Sequence, residues 1–208
     1  FEQRANEIIH GDPKLINFNY FFTRKLNFVK ETHAFALFPG GFGTMDEGFE
    51  ALTLMQTGKA LIIPIVLIDQ PDGTYWEMWK RFLTDDLLSR GLISKEDFNF
   101  IKIAHHVAEA VDHILLFYRN YESSRWVGSQ LVLRICKRLT ERAVAELNKE
   151  FADVLRVGAI VQRNALPQER NQPEIWDLPR LVLTPHRHEF GRYRQLIDAI
   201  NLAEVATV

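Results

Sequence analysis

Apolar and polar positions along this chain change period several times, and each change predicts an element. From Phe21 to Thr32, the residues Phe21, Leu26, Phe28 and Val29 supply the apolar positions of a helix, with Arg24 and Lys25 in its first turns. Ala34 to Phe38 is a short apolar run stopped by Pro39-Gly40-Gly41, the pattern of a buried strand. A helix is expected from Thr44 to about Gly58, with Thr44 as N-cap, Glu47 at capping-box distance and Gly58 placed to end it. Leu61 to Ile68 is rich in β-branched residues and closed by Asp69-Gln70-Pro71-Asp72-Gly73, so it reads as a second buried strand. Tyr75 to Ser89 is amphipathic and stopped by Gly91. Ile101 to Ala104 forms another short strand, and His106 to Arg119 another helix.

Strand and helix alternate throughout this region, which predicts an α/β fold: a Rossmann-like parallel sheet with flanking helices. After Tyr118 the pattern is different. Val127, Leu131, Ile135, Leu139 and Ala143 recur every four residues and predict a long amphipathic helix from Ser124 to about Phe151. Val154 to Val161 and Leu181 to Thr184 read as strands around a polar loop from Asn164 to Pro173, and a last helix starts near Phe190. The expected organisation is therefore an α/β domain over 1–118 and a small α+β C-terminal appendage over 119–208. The apolar stripes of the appendage are expected to pack on the main domain or a second subunit.

Composition sharpens this picture only in places. A net charge of -2 over 208 residues argues against a general nucleic-acid-binding surface. No apolar run is long enough to span a bilayer, and no basic-then-apolar leader is visible, so no membrane partner is expected. The single cysteine, Cys136, excludes an internal disulfide and a multi-cysteine metal site, in keeping with a cytoplasmic location. Cys136 itself is expected to be a small buried hydrophobe of the tail helix. Charge is unevenly spread: residues 1–118 carry 11 basic and 16 acidic side chains, residues 119–208 carry 14 and 11, and 12 of the latter bases are arginine. A solvated, ion-paired surface is the expectation for those arginines. His105-His106 and His186-x-His188 are read as capping, structural or surface residues rather than metal ligands, and Trp76, Trp79 and Phe82 as core packing.

Candidate chemistry concentrates in Pro39-Gly40-Gly41-Phe42-Gly43-Thr44-Met45-Asp46-Glu47. A buried strand feeds a glycine-rich turn that opens a helix, where exposed N–H groups and the helix dipole suit a phosphate. No Gly-Lys-Ser/Thr follows, so this is not a Walker loop. Asp46, Glu47 and Glu50 lie in the first turns of the helix, where carboxylates complement the dipole. One turn in, Glu47 is placed to face a sugar rather than the phosphate, and Arg24 can supply the matching positive charge.

These residues resemble the Lonely Guy family of cytokinin-activating phosphoribohydrolases, also labelled lysine decarboxylase-like. The family's paired signatures, Arg-Lys on one helix and Pro-Gly-Gly-x-Gly-Thr-x-x-Glu after the next strand, stand here as Arg24-Lys25 and Pro39 through Glu47. The likeness continues through Gln56-Thr57-Gly58-Lys59, the Pro64 strand and Gly91-Leu92-Ile93-Ser94, covering roughly Phe1 to Phe117. It implies that Arg24 and Glu47 are the catalytic pair and that Gly40, Gly41, Gly43 and Thr44 hold the phosphate of a purine nucleotide. Pro39 and Lys25 join them as substrate-binding residues, although Lys25 either touches phosphate or sits in solvent. The implied reaction is hydrolysis of the N-glycosidic bond of AMP or an N6-modified AMP, without metal or cofactor, in a homodimer. A carrier of a nucleotide or a molybdenum cofactor on the same fold is the alternative. A pyridoxal-phosphate decarboxylase ranks third, since nothing in the sequence marks Lys25 or Lys59 as a desolvated Schiff-base lysine. The resemblance also implies about three strand–helix units ahead of Phe1-Glu2-Gln3, including an upstream glycine-rich turn, and it assigns no role to the tail.

Overall fold

The computed structural model describes residues 7–207, so Phe1-Glu2-Gln3, the expected continuation of earlier units, lies outside the described residues. The chain divides into two compact units, one ending at Thr32 and the other running from His33. In the first, helix α1 spans Phe21–Lys30 and buries none of its residues. Tyr20 and Phe22 stack with ring centroids 5.5 Å apart.

The second unit contains two sheets. The first is parallel, in the order β1-β2-β3, from β1 (Phe35–Leu37), β2 (Ile65–Ile68) and β3 (Ile101–Ala104). Helix α2 (Phe42–Gln56) connects β1 to β2, and β3 leads into α4 (Val107–Phe117). Between β2 and β3 the chain forms α3 (Tyr75–Phe82), a π-helical segment Leu83–Leu88 and a 3₁₀ segment Lys95–Phe100. The central strand β2 has all four residues buried, Ile65 and Val66 completely, as a parallel strand covered on both faces must. Gly48 lets α2 approach β1 closely: a Cβ there would lie 3.2 Å from Leu37 Cδ1. Gly58 ends α2 with a φ of 67°, and Gly91 follows the π-helical segment with 69°, both conformations that favour glycine. The α/β class is as expected.

The tail corrects one element. Where a helix was expected over 124–151, the chain forms a hairpin, β4 (Tyr121–Val127) and β5 (Gln130–Ile135), followed by the shorter helix α5 (Glu141–Glu150). The fourfold spacing misleads because four is a multiple of the strand period as well as near the helical one. Gly128-Ser129 is the signal that decides it. Gly128 takes a φ of 60° and closes a two-residue turn with Val127 opposite Gln130. β6 (Leu155–Arg163) and β7 (Arg180–Pro185) complete an antiparallel sheet in the order β4-β5-β7-β6.

Two further expectations for the tail change. Cys136 follows β5 and is exposed, not buried in a helix. Three of the arginines are interior: Arg134 (3% exposed), Arg180 (0%) and Arg194 (1%). Glu169, also 0% exposed, pairs with Arg134 at 2.9 Å and Arg180 at 3.2 Å, and its second oxygen accepts the Leu166 amide. Gln172 Oε1 accepts from Arg134 at 2.6 Å and from Arg125 at 3.1 Å, and Arg180 donates to the Ile175 and Leu178 carbonyls. This network fastens the segment after β6 to β5 and β7.

The last helix, α6 (Phe190–Leu202), joins the tail to the parallel sheet. Gly191 lies against the Glu96 backbone so closely that any Cβ would collide, and its carbonyl accepts from Asn99 Nδ2 at 3.2 Å. Arg194 stacks over Phe117, 4.6 Å from the ring centre, and bonds Asp198 and His113. Asn201 accepts the backbone amides of Asn120 and Tyr121 and donates to the Phe117 carbonyl. Through these contacts α6 packs on α4 and on the 3₁₀ segment Lys95–Phe100.

Candidate functional site

The glycine turn sits at the carboxyl end of β1, where parallel α/β sheets place their ligands. The N-cap of helix α2 lies three residues earlier than the sequence suggests: it is Gly41, in extended conformation, and no side chain caps the helix. Thr44 is therefore not the cap and makes no capping box with Glu47. It lies in the first turn, and its side chain occupies the space a Cβ on Gly40 would need. Gly40 is thus required by packing. Gly41 and Gly43 are different, because a Cβ at either would meet no atom within 4 Å. Their open side, together with an uncapped first turn, is what an anion approaching backbone amides needs.

Glu47 lies one turn further on and is partly buried, whereas Asp46 is exposed. Pro39, Gly40, Gly41 and Gly43 are exposed on the same turn. Arg24 and Lys25 belong to the first unit. Both lie near the Phe21 ring, with the Arg24 guanidinium 5.0 Å and the Lys25 ammonium 5.8 Å from its centre. Arg24 is exposed and Lys25 partly so. The structure thus groups the glycines, Thr44 and Glu47 at one strand–helix junction and carries the Arg24-Lys25 pair on α1.

Two positioning residues escaped the sequence reading. Tyr75 donates its hydroxyl hydrogen to the Gly40 carbonyl and pins the glycine turn from the start of α3. Asp69, 7% exposed at the end of β2, orders that start: its carboxylate accepts from the amides of Gln70 and Tyr75 at 2.9 Å and of Trp76 at 3.4 Å. Gly73 is obligatory in this turn, because a Cβ would strike the Asp69 carboxylate. The turn string Asp69 to Gly73 is the available signal for Asp69, whereas nothing in the sequence marks the bond from Tyr75 to Gly40, 35 residues back. Trp76 and Trp79 are core residues as expected, while Phe82 is 47% exposed. His105 and His106 precede α4, His105 Nδ1 lying 3.2 Å from the Gln70 carbonyl. Tyr75→Phe should leave the fold intact and loosen the turn, lowering any ligand affinity at this junction several-fold by isothermal titration.

A parallel sheet flanked by helices, its first strand running through a glycine turn into a helix with no side-chain cap, defines an α/β protein. A family described as "possible lysine decarboxylase" matches residues 2–114, and the protein belongs to it, the lysine decarboxylase-like or Lonely Guy family. No curated protein matches the chain.

Proposed function

We propose that this protein is a nucleoside 5′-monophosphate phosphoribohydrolase, cleaving AMP or an N6-modified AMP to the free base and ribose 5-phosphate. The observation that carries the reading is the pairing of two unobstructed glycines, Gly41 and Gly43, with a partly buried carboxylate, Glu47, one turn along the same helix. The family match lends it a class of chemistry.

Breaking the bond between C1′ and the base nitrogen leaves positive charge on the ribose ring. In this reading the amides of residues 41–44 bind the 5′-phosphate, supplying binding energy remote from the scissile bond. Glu47 faces the ribose, stabilises the developing oxocarbenium ion and takes a proton from the attacking water. Arg24 orients the ligand through charge-assisted hydrogen bonds, with Lys25 as a second cation near the phosphate. Water adds to C1′, and the base leaves with the electrons of the broken bond and gains a proton.

The test is adenine release from AMP, followed by chromatography with ribose 5-phosphate measured in parallel. Gly43→Ala is the informative variant. Beyond its own helix backbone and chain neighbours the added Cβ meets nothing within 4 Å, so the fold should be kept and the melting temperature should equal or slightly exceed that of wild type, alanine being the better helix former. The methyl group would instead occupy the phosphate seat, and KM for AMP should rise about tenfold or more, the cost of a lost charged hydrogen bond. Tight AMP binding without turnover in the wild-type protein would replace this reading with the carrier.

A further inference from the structure

The antiparallel sheet of the tail has two edges, and the fold treats them differently. β6 is guarded. Its register breaks twice, Gly158 takes a φ of 80°, and Asn148 of α5 accepts from the Ile160 amide at 2.8 Å and donates to its carbonyl at 2.9 Å. Bulges and covers of this kind keep an edge from pairing with another strand. β4 has no such cover. Its one irregularity lies between Tyr121 and Ser123, and residues 123–127 run in unbroken register against β5.

That register fixes which backbone groups are open. Val127 and Gln130 close a two-residue turn and so exchange hydrogen bonds, and bonded and unbonded pairs alternate from there. Trp126 and Ser124 therefore aim their N–H and C=O groups away from β5, and no other group among the described residues bonds them. Arg125, a charge that could guard the edge, donates instead to the Gln172 side-chain oxygen at 3.1 Å. Such a row of unmet donors and acceptors is complemented by another extended backbone.

The charges at the two ends of the edge select the partner. Glu122 stands at one end. At the other, the Arg187 guanidinium lies 4.4 Å over the Trp126 ring and donates to the Gly128 carbonyl. Neither Glu122 nor Arg187 has an ion-pair partner among the described residues. An antiparallel copy of the same strand, related by a two-fold axis at Ser124, sets each Glu122 opposite the other chain's Trp126 and beside its Arg187.

We propose that β4 pairs with β4 of a second copy of this chain, antiparallel about Ser124, joining two four-stranded sheets into one of eight strands. The two Ser124 residues exchange hydrogen bonds on the axis, and Glu122 meets Arg187 at both ends. The tail thereby carries a subunit contact of its own, independent of the reaction proposed for Glu47.

The test is a cross-link in the full chain with Cys136, its single cysteine, replaced by serine. Opposed Cα atoms of a hydrogen-bonded antiparallel pair lie about 5.5 Å apart, within the reach of a disulfide. Ser124→Cys should therefore give a disulfide-linked dimer on mild oxidation. Ser129→Cys, in the hairpin turn and on the order of 30 Å from its counterpart in this register, should not. Sedimentation velocity gives a second readout. Ser124→Pro removes the donor on the axis and should halve the assembled mass, proline being tolerated where an edge N–H faces outward. Glu122→Lys, a substitution at a partly exposed position, serves if the proline variant fails to fold. It should weaken assembly about tenfold, and adding Arg187→Glu should restore it. No cross-link from Ser124→Cys, an equal one from Ser129→Cys, a mass unchanged by both substitutions, or no rescue by the charge swap would overturn the proposal.

Discussion

Glu47→Gln should lower adenine release from AMP by about 10²- to 10⁴-fold, the range for removing a general base, while AMP still binds. Glutamine keeps the size and hydrogen-bonding reach of the side chain but neither stabilises a cationic ribose nor accepts a proton. Loss should therefore fall on kcat and spare KM, because in the proposed reaction the carboxylate acts in the transition state and the phosphate is bound by residues 41–44. Asp46→Asn is the matched control. It removes a neighbouring negative charge on the same helix from an exposed position, and should change kcat by less than about threefold, the scale of an exposed charge. If Glu47→Gln turned over at the wild-type rate, or if both variants lost activity equally, the carboxylate would have no special part in the reaction.

The second large effect concerns stability. Glu169→Ala should destabilise the second unit by about 3–5 kcal/mol, since it strips the shared partner from two buried guanidinium groups. For a protein of this length that corresponds to a fall of about 6–20 °C in melting temperature. The same network sets a pH dependence. Burial pushes the Glu169 carboxyl up, but the Leu166 amide, Arg134 and Arg180 together outweigh it, so its pKa lies below the ordinary 4.5. A carboxyl lowered on folding stabilises the fold above its unfolded value and loses that contribution as pH falls through its folded value. Urea melts of wild type and Glu169→Gln should therefore differ most at neutral pH and converge as pH falls from 4.5 through the lower folded value, where the wild-type carboxyl takes up its proton. Parallel pH profiles would remove this carboxyl from the acid transition.

Most of the parallel half was legible because its elements are short-range objects. β2 is an unbroken apolar run between turn residues, and α2 ends at the glycine that the sequence offers for it. What failed there was local as well: Thr44 looks like a cap, yet its side chain is needed against Gly40. In the tail, an evenly spaced apolar pattern suited two periods, and a single Gly-Ser turn outweighed it. The burial of Arg134, Arg180 and Arg194 was unreadable for another reason. An arginine enters the interior only where distant residues meet its donors, and Glu169, Gln172 and His113 are brought there by tertiary contacts. The Tyr75 bond to Gly40 is invisible in sequence on the same ground.

Helix α6 has a consequence for the order in which the chain can be assembled. It is made after the parallel sheet, yet Gly191 and Phe190 occupy places against Glu96 and Gly58 that the sheet half leaves for them. During synthesis the parallel sheet therefore emerges with part of its flank bare, and that flank is closed only once α6 has followed it out of the ribosome.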